Sequence, residues 1–170
     1  YILFAVGALI TVITFFINIA VAKREKRFEG SLPLVVFGLM TAAILAVYTL
    51  LEGAVAVVPA FLWSLDLLQN YDPGIYRNFF WGFGHPAQQV NLAAMVAIWY
   101  ALAQMTTGIR PINEKFSRLA FILYLFFINL GSAHHLLVDP GLSFAWKSVN
   151  TSYAMYLAVL GSMMHAFSIP

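Results

Sequence analysis

The feature that most constrains this chain is a series of five apolar runs, each long enough to cross a membrane. They cover approximately residues 1–22, 32–58, 84–107, 116–135 and 146–170. A helix needs about 20 apolar residues to cross the hydrocarbon core of a bilayer. Hydrophobic residues make up 62% of the chain and charged residues 9%, against roughly a quarter charged in soluble domains. We therefore expect an all-α fold, a polytopic transmembrane helix bundle with five spans.

The chain begins and ends inside apolar runs, so we expect residues 1–170 to be a single transmembrane domain that is a fragment of a longer protein. The connector 59–83 is expected to lie outside the membrane, with a turn at Asp72-Pro73-Gly74 or, alternatively, a short surface helix. The chain has no cysteine. This excludes disulfides, thiolate metal sites and cysteine nucleophiles.

The charged connectors indicate how the spans are oriented. One basic connector covers residues 23–27, and a second contains Arg110, Lys115 and Arg118. Short basic loops stay on the cytoplasmic side, and these two alternate with connectors that lack such a cluster, as antiparallel spans require. Spans one, three and five then run inward. The basic residues are interpreted as solvated loops, and no nucleic-acid partner is expected.

Three histidines fall at one depth in this topology. His85 lies near the outer end of span three, and His134 and His135 lie at the outer end of span four. Imidazoles are common ligands of copper, iron and zinc, so they predict a metal site toward the outer face. Alternatively, His134 and His135 are interfacial residues and His85 is paired with a neighbouring helix. Adjacent histidines point about 100° apart on an ideal helix, an objection that weakens at a frayed helix end.

The carboxylate of Glu52 is expected in the same layer. Glu52 precedes Val58, the outer end of span two, by six residues, which is about 9 Å at the helical rise. It could be a fourth metal ligand, a proton relay or a hydrogen-bond partner that orients an imidazole. It could equally be a carboxyl group that belongs to the shared fold. A carboxylate among the ligands would favour iron over copper.

The motifs around these histidines resemble the catalytic subunit of the haem-copper oxidases, most closely the B-type branch. The matching motifs are Leu51-Glu52, Asp72-Pro73, Trp81, Gly84-His85-Pro86, His134-His135, Asp139-Pro140-Gly141 and Trp146-Lys147. The likeness covers about residues 45–170. It identifies the five spans as helices four to eight of a twelve-helix core.

The resemblance implies a set of cofactors and partners. His85, His134 and His135 would hold a non-haem metal, copper or iron, that faces a high-spin haem, and Trp81 would pack beside that site. A low-spin haem, an accessory electron-transfer subunit and cytochrome c or quinol as donor are also implied. The haem ligands would lie on helices two and ten, outside this stretch. The implied location is a bacterial or archaeal cytoplasmic membrane.

One position departs from the oxygen-reducing members of the branch. Their tyrosine four residues after the helix-six histidine is replaced here by Gln89, on the same helix face as His85. Cleavage of the oxygen–oxygen bond takes four electrons and a proton, and the tyrosine supplies the electron that the metals lack. Coupling two nitric oxide molecules to nitrous oxide and water takes only two electrons and two protons, and nitric oxide reductases of the superfamily lack the tyrosine. We therefore predict a nitric oxide reductase.

Two other functions stay open. The chain could belong to a proton-pumping B-type terminal oxygen reductase whose tyrosine has moved to Tyr124, Tyr153 or Tyr156. It could also be a non-catalytic channel or assembly subunit whose histidines bind nothing.

The resemblance also implies a proton path along hydroxyl groups of helices six and eight. Tyr100 matches one of its positions, but Val96 replaces the tyrosine expected one turn above it. The matching positions in span five are Gly161, Met164 and Phe167. The path is thus interrupted, consistent with an enzyme that does not pump or takes protons from outside. His165 and Ser162 could substitute; more simply, His165 is paired within the bundle and Ser162 bonds to its own helix.

Overall fold

The computed structural model of the chain describes residues 1–169, and every regular element in that range is helical. In chain order these are α1 (Ile2–Arg24), α2 (Leu34–Ser64), α3 (Pro73–Thr107), α4 (Glu114–Leu130), a 3₁₀ segment (Gly131–Leu136), α5 (Phe144–Val149), a π-helical turn (Asn150–Ala154) and α6 (Met155–Ser168). The prediction of an all-α bundle is confirmed.

Within the described residues, four helical stretches are long and apolar enough to cross a membrane. They are α1, α2, α3 and the path from Glu114 through Leu136, and each coincides with a predicted span. The fifth predicted span corresponds to α5, the π turn and α6, which follow one another without a gap. The chain is an integral membrane protein, as its apolar runs predict.

The second and third helices are longer than the sequence analysis predicts. Helix α2 continues through Pro59 to Ser64, and α3 begins at Pro73, well before residue 84. The Asp72 side chain accepts hydrogen bonds from the backbone N–H groups of Gly74 and Ile75, which makes Asp72 the N-cap. Pro73 suits the first helical position because the N–H it lacks has no partner there. Asp72-Pro73-Gly74 is therefore the start of a helix and not the expected turn.

Small residues allow the central helices to approach closely. Helix α2 packs along α3, and α4 packs against α2 and α6. At Gly38 of α2, an added Cβ would lie 2.5 Å from Cζ of Phe121 and 2.8 Å from Cβ of Ala97. Between membrane helices the hydrophobic effect is weak, and close van der Waals packing of this kind holds them together. The contact brings together α3, which carries His85, and α4, which leads into the 3₁₀ segment with His134 and His135.

Candidate metal centre

The first histidine, His85, is buried in the middle of α3. Pro86 follows it and cannot donate the usual helical hydrogen bond to the Gly82 carbonyl, which loosens this turn of the helix. The side chain of His85 faces the 3₁₀ segment, and the two elements are in contact.

The other two histidines lie in that 3₁₀ segment, where α4 stops being a regular helix. His134 Nδ1 is hydrogen-bonded to the carbonyl oxygen of Gly131, which leaves its Nε2 free for a ligand. Although consecutive side chains on a 3₁₀ helix diverge by about 120°, the ring centroids of His134 and His135 are 4.1 Å apart and their planes are inclined by 36°. The irregular end of α4 therefore allows both rings to face His85.

The three imidazoles converge on one point. The ring of His85 lies 4.6 Å from that of His134 and 5.5 Å from that of His135, centroid to centroid. Each histidine can offer one ring nitrogen such that all three nitrogens lie within 4.8 Å of one another. In the described part of the chain, the buried Nε2 of His135 has no hydrogen-bond partner. A buried polar atom without a partner is costly, and a cation bound between three imidazoles would satisfy it.

Trp81 lies beside this cluster. Its indole is stacked on the His135 ring, with centroids 3.9 Å apart and planes within 7°. Trp81 precedes His85 by four residues, so both side chains leave the same face of α3. The tryptophan thereby fixes the orientation of a histidine that comes from another helix.

Gly131 is a residue of the site that the sequence analysis did not identify. A Cβ at this position would lie 2.8 Å from His85 Nε2 and 3.2 Å from Met155 Sδ. The glycine therefore makes room for the His85 ring. The only signal for this role in the sequence was a glycine three residues before His134. That signal is weak, because glycines are common at helix ends.

Glu52 lies near the cluster but outside it. Among the described residues, the group with metal-ligand geometry consists of His85, His134 and His135. The Glu52 carboxylate packs against Gly82, where a Cβ would come within 3.0 Å of Oε2. It lines a cavity of about 240 Å³ together with Asn78, Ser132 and Trp146. Glu52 and residues of the 3₁₀ segment that carries His134 and His135 thus line the same cavity.

Gln89 is half-buried one turn beyond His85 on α3. The tyrosines that could replace the missing phenol lie elsewhere in the described residues. Tyr153 and Tyr156 are 61% and 68% exposed, and the Tyr124 hydroxyl lies 2.8 Å from Ser162 Oγ. Within the described residues, the aromatic rings that contact the three imidazoles are those of the histidines themselves and Trp81.

The two proton-path candidates, Tyr100 and His165, are in direct contact. The Tyr100 hydroxyl lies 3.0 Å from His165 Nδ1 and 3.0 Å from Ser117 Oγ. His165 is therefore paired within the bundle, as the simpler interpretation predicts. The companion prediction for Ser162 is wrong, because its hydroxyl is paired with Tyr124 of α4 and not with its own helix.

Comparison with known proteins places this arrangement in a family. The family described as cytochrome c and quinol oxidase polypeptide I matches residues 1–169. The chain belongs to this family. The predicted membership of the haem-copper oxidase superfamily, as a subunit I polypeptide, is thereby confirmed.

Two relatives show how much of a cytochrome c and quinol oxidase polypeptide I the chain covers. Cytochrome c oxidase subunit 1 of Thermus thermophilus is 32% identical over 119 residues, which are 70% of this chain and 20% of the relative. The solved structure of a heme-copper terminal oxidase dimer matches with a TM-score of 0.84 and 29% identity, over 98% of this chain and 30% of that one. The chain thus spans less than a third of the length of either relative.

Proposed function

We propose that this chain is part of a nitric oxide reductase of the haem-copper superfamily, which reduces two nitric oxide molecules to nitrous oxide and water. The observation that carries the proposal is Gln89, an amide one turn from His85 where the oxygen-reducing enzymes that the chain resembles have a tyrosine. The positions of Tyr124, Tyr153 and Tyr156 away from the imidazoles support it.

In this proposal His85, His134 and His135 hold a non-haem metal through their ring nitrogens. The unpartnered Nε2 of His135 and the convergence of the three rings fit such an ion. Because Glu52 lies outside the group, the donor set consists of nitrogen atoms and suits copper, with iron as the alternative. This metal and a high-spin haem from outside this stretch would together supply the two electrons of the reaction.

The other residues of the site position groups and handle protons. Trp81 holds the His135 ring through the stacked contact. The Gln89 amide can donate a hydrogen bond toward a bound nitrogen oxide, but it is neither redox-active nor acidic. In this proposal the Glu52 carboxylate accepts and passes on protons, beside a cavity that borders the histidine segment.

We assign the site to the outer side of a bacterial or archaeal cytoplasmic membrane, because the second basic connector joins α3 and α4 at the ends opposite the histidines. The remaining parts of the enzyme would include a low-spin haem and an accessory electron-transfer subunit. Cytochrome c or quinol would be the donor.

Reduction of oxygen to water, coupled to proton pumping, is the second candidate function. It is favoured by the names of the relatives, one a cytochrome c oxidase subunit and the other a heme-copper terminal oxidase. A relocated or dispensable tyrosine would then be required.

Turnover of the purified enzyme with nitric oxide and with oxygen separates the two functions. We expect nitrous oxide as the main product. Gln89→Tyr should lower nitric oxide reduction by roughly tenfold or more, since one lost transition-state contact typically costs that much. Gln88→Tyr, at the exposed neighbouring position, is the matched control and should change it little.

Two results would contradict the proposal. Fast, complete reduction of oxygen to water with little nitrous oxide would establish the second function. Absence of both haem and transition metal from the intact protein would instead support a non-catalytic subunit.

A further inference from the structure

The end of α1 carries the densest group of charges in the chain. The first basic connector, residues 23–27, has four basic side chains and one acidic one, and all of them are exposed. The acidic residue, Glu25, forms an ion pair with Arg27 at 2.7 Å. Among the described residues, three cations of this connector take part in no salt bridge, namely Lys23, Arg24 and Lys26. The connector therefore presents positive charge without a partner.

A lysine in a left-handed conformation bends the backbone of this connector. Lys26 has a φ of 54°. Its N–H donates to the carbonyl oxygen of Lys23 at 3.1 Å, and the N–H of Arg27 donates to that of Ala22 at 3.0 Å. These two bonds form the Schellman motif that ends many helices, in which the left-handed residue is usually glycine. A residue with a Cβ is strained there, so folding alone would favour glycine over lysine.

An apolar stripe of α1 leads up to these cations. The stripe consists of Ile10, Ile13 and Ile17, which are 59%, 48% and 55% exposed. Spacings of three and four residues place them on one face of the helix. Arg24 continues the same face, because it follows Ile17 by seven residues, which is about two helical turns. One face of α1 thus combines an exposed hydrocarbon surface with a cation at its end.

The second basic connector lies at the same end of the bundle. The Arg118 guanidinium donates to the carbonyl oxygen of Leu32, in the link between the first basic connector and α2, at 2.5 Å. Arg118 is itself paired with Glu114 at 2.5 Å. Arg110 and Lys115 are exposed and take part in no salt bridge among the described residues. Positive charge is therefore in excess at this end of the bundle.

We propose that the first basic connector and the apolar stripe of α1 bind an anionic phospholipid. Its phosphate would lie against Arg24 and Lys26, and an acyl chain would cover the stripe. Basic residues directly beside a membrane helix attract anionic headgroups in this way. A free phosphate ion would meet only the cations, whereas a phospholipid also covers the exposed hydrocarbon.

The lipid also accounts for the lysine at the strained position. Glycine would suit the backbone of the motif better, but it has no charge to offer a phosphate. Strained residues of this kind persist where they serve a function. The inference goes beyond the proposed function, and it does not depend on which oxidant the enzyme reduces.

The test uses the purified intact enzyme in phosphatidylcholine vesicles that contain a small fraction of a photoactivatable phosphatidylglycerol. Photoactivatable phosphatidylcholine serves as the neutral reference, and mass spectrometry measures how much of each lipid is cross-linked to residues 10–29. We expect a preference for the anionic lipid at about 0.1 M salt. The preference should largely disappear at about 1 M salt, because the Debye length falls from about 10 Å to about 3 Å.

Lys26→Gly separates the loss of charge from a loss of folding. Glycine suits the left-handed position, so the thermal unfolding temperature should be no lower than in the wild type. The preference for the anionic lipid should nevertheless fall by about fivefold, the factor expected for one basic residue near an anionic surface. Arg24→Gln should cause a loss of similar size.

Two variants serve as controls. Lys26→Arg keeps the charge at the left-handed position and should keep the lipid preference within about twofold of the wild type. Glu29→Gln removes a negative charge close to the connector and should raise the preference.

Three results would overturn the proposal. They are equal cross-linking of the two lipids to the wild type, an unchanged preference in Lys26→Gly, and an equal loss in Lys26→Arg. Displacement of the lipid by excess inorganic phosphate at constant ionic strength would assign the cations to a soluble anion, and would also overturn it. None of these measurements involves turnover, so failure of the proposed nitric oxide reduction leaves their outcome unchanged.

Discussion

At the level of single residues, the geometry of the three histidines depends on neighbours that have no ligand atoms of their own. Trp81 supports the His135 ring from one face, and the Gly131 carbonyl accepts the hydrogen bond that occupies His134 Nδ1. Gly131 also leaves the space into which His85 Nε2 points. Such outer contacts orient metal ligands and commonly change metal affinity by about 10- to 100-fold.

Gly131→Ala should reduce metal binding. The new Cβ would lie 2.8 Å from His85 Nε2, closer than non-bonded atoms approach, so the imidazole must move away from its two partners. We expect the affinity for the metal to fall by roughly tenfold. Metal analysis of the purified enzyme after dialysis against a chelator measures this loss.

The control for this change is Gly141→Ala in the loop after the histidines, where an added Cβ meets nothing within 4 Å. That variant should retain its metal. Full metal retention by Gly131→Ala would show that the His85 ring does not need this space.

At the level of the helices, three contacts hold the segment that carries His134 and His135. Arg77 of α3 forms a bidentate ion pair with Asp139, at 2.9 and 3.2 Å, and Lys147 of α5 donates to the Asp139 carbonyl oxygen at 2.5 Å. On the other side, Asn150 in the π turn donates its amide hydrogen to the carbonyl of Leu130, the last residue of α4. A π turn close to a candidate site is consistent with the frequent occurrence of such turns at functional sites.

Asn150→Leu should destabilise the end of α4. It removes a part-buried hydrogen bond to the Leu130 carbonyl, and a typical intramolecular hydrogen bond contributes about 0.5–1.5 kcal/mol. We expect a lower thermal unfolding temperature and weaker metal binding than in the wild type.

Asn129→Leu serves as the comparison, because the Asn129 amide bonds to Leu125 within its own helix and supports no other element. Equal effects of the two substitutions on metal binding would argue against a positioning role for Asn150.

The Arg77–Asp139 pair should make the outer loop sensitive to acid. The hydrogen bond from Arg77 lowers the pKa of Asp139 from its ordinary value of 3.8. Because the folded-state pKa is depressed, the stabilisation is present above the ordinary value and is lost as the pH falls through the lower folded value. Backbone hydrogen exchange of residues 137–143, compared after correction for intrinsic rates, should become faster in that acidic range.

Asp139→Asn should give fast exchange in this loop at neutral pH and abolish the acid dependence. Glu25→Gln removes the carboxylate from the exposed pair with Arg27 in another connector and should leave residues 137–143 unchanged. A wild-type exchange rate in Asp139→Asn would contradict the role assigned to the ion pair.

At the level of the whole molecule, large apolar side chains cover much of the outer surface of the bundle, and α1 is almost entirely exposed. Lipid is as apolar as these side chains, so their exposure has little cost in a membrane. What organises the bundle is the close packing of α2, α3, α4 and α6, which brings the ends of helices from separate spans together.

The orientation of the bundle can be tested by chemical labelling, because the chain has no cysteine of its own. Glu29 lies in the connector between α1 and α2, next to the basic residues 23–27, and Leu67 lies in the connector between α2 and α3; both are exposed. If basic loops stay inside, a membrane-impermeant maleimide should label Leu67→Cys in spheroplasts. It should label Glu29→Cys only after the membrane is opened, and the opposite pattern would place the histidines on the cytoplasmic side.

The sequence alone determined the all-α membrane fold, the family and the three histidines. Long apolar runs have few structural solutions in a bilayer, and the motifs around His85 and His134-His135 are specific. The end of α2 and the start of α3 were mispredicted. Helix α2 continues past Pro59, and Gly74, Arg77 and Asn78 interrupt the apolar pattern of a helix that is capped by Asp72.

Only the tertiary structure decided how side chains from different helices meet. The packing of helices places Gly131 against His85, leaves Glu52 outside the imidazole group, and pairs Tyr124 with Ser162 and Tyr100 with His165. These contacts depend on the rotation of each helix about its axis and on the irregular 3₁₀ end of α4. The apolar pattern of a membrane helix specifies that rotation weakly, because both lipid-facing and buried faces are apolar.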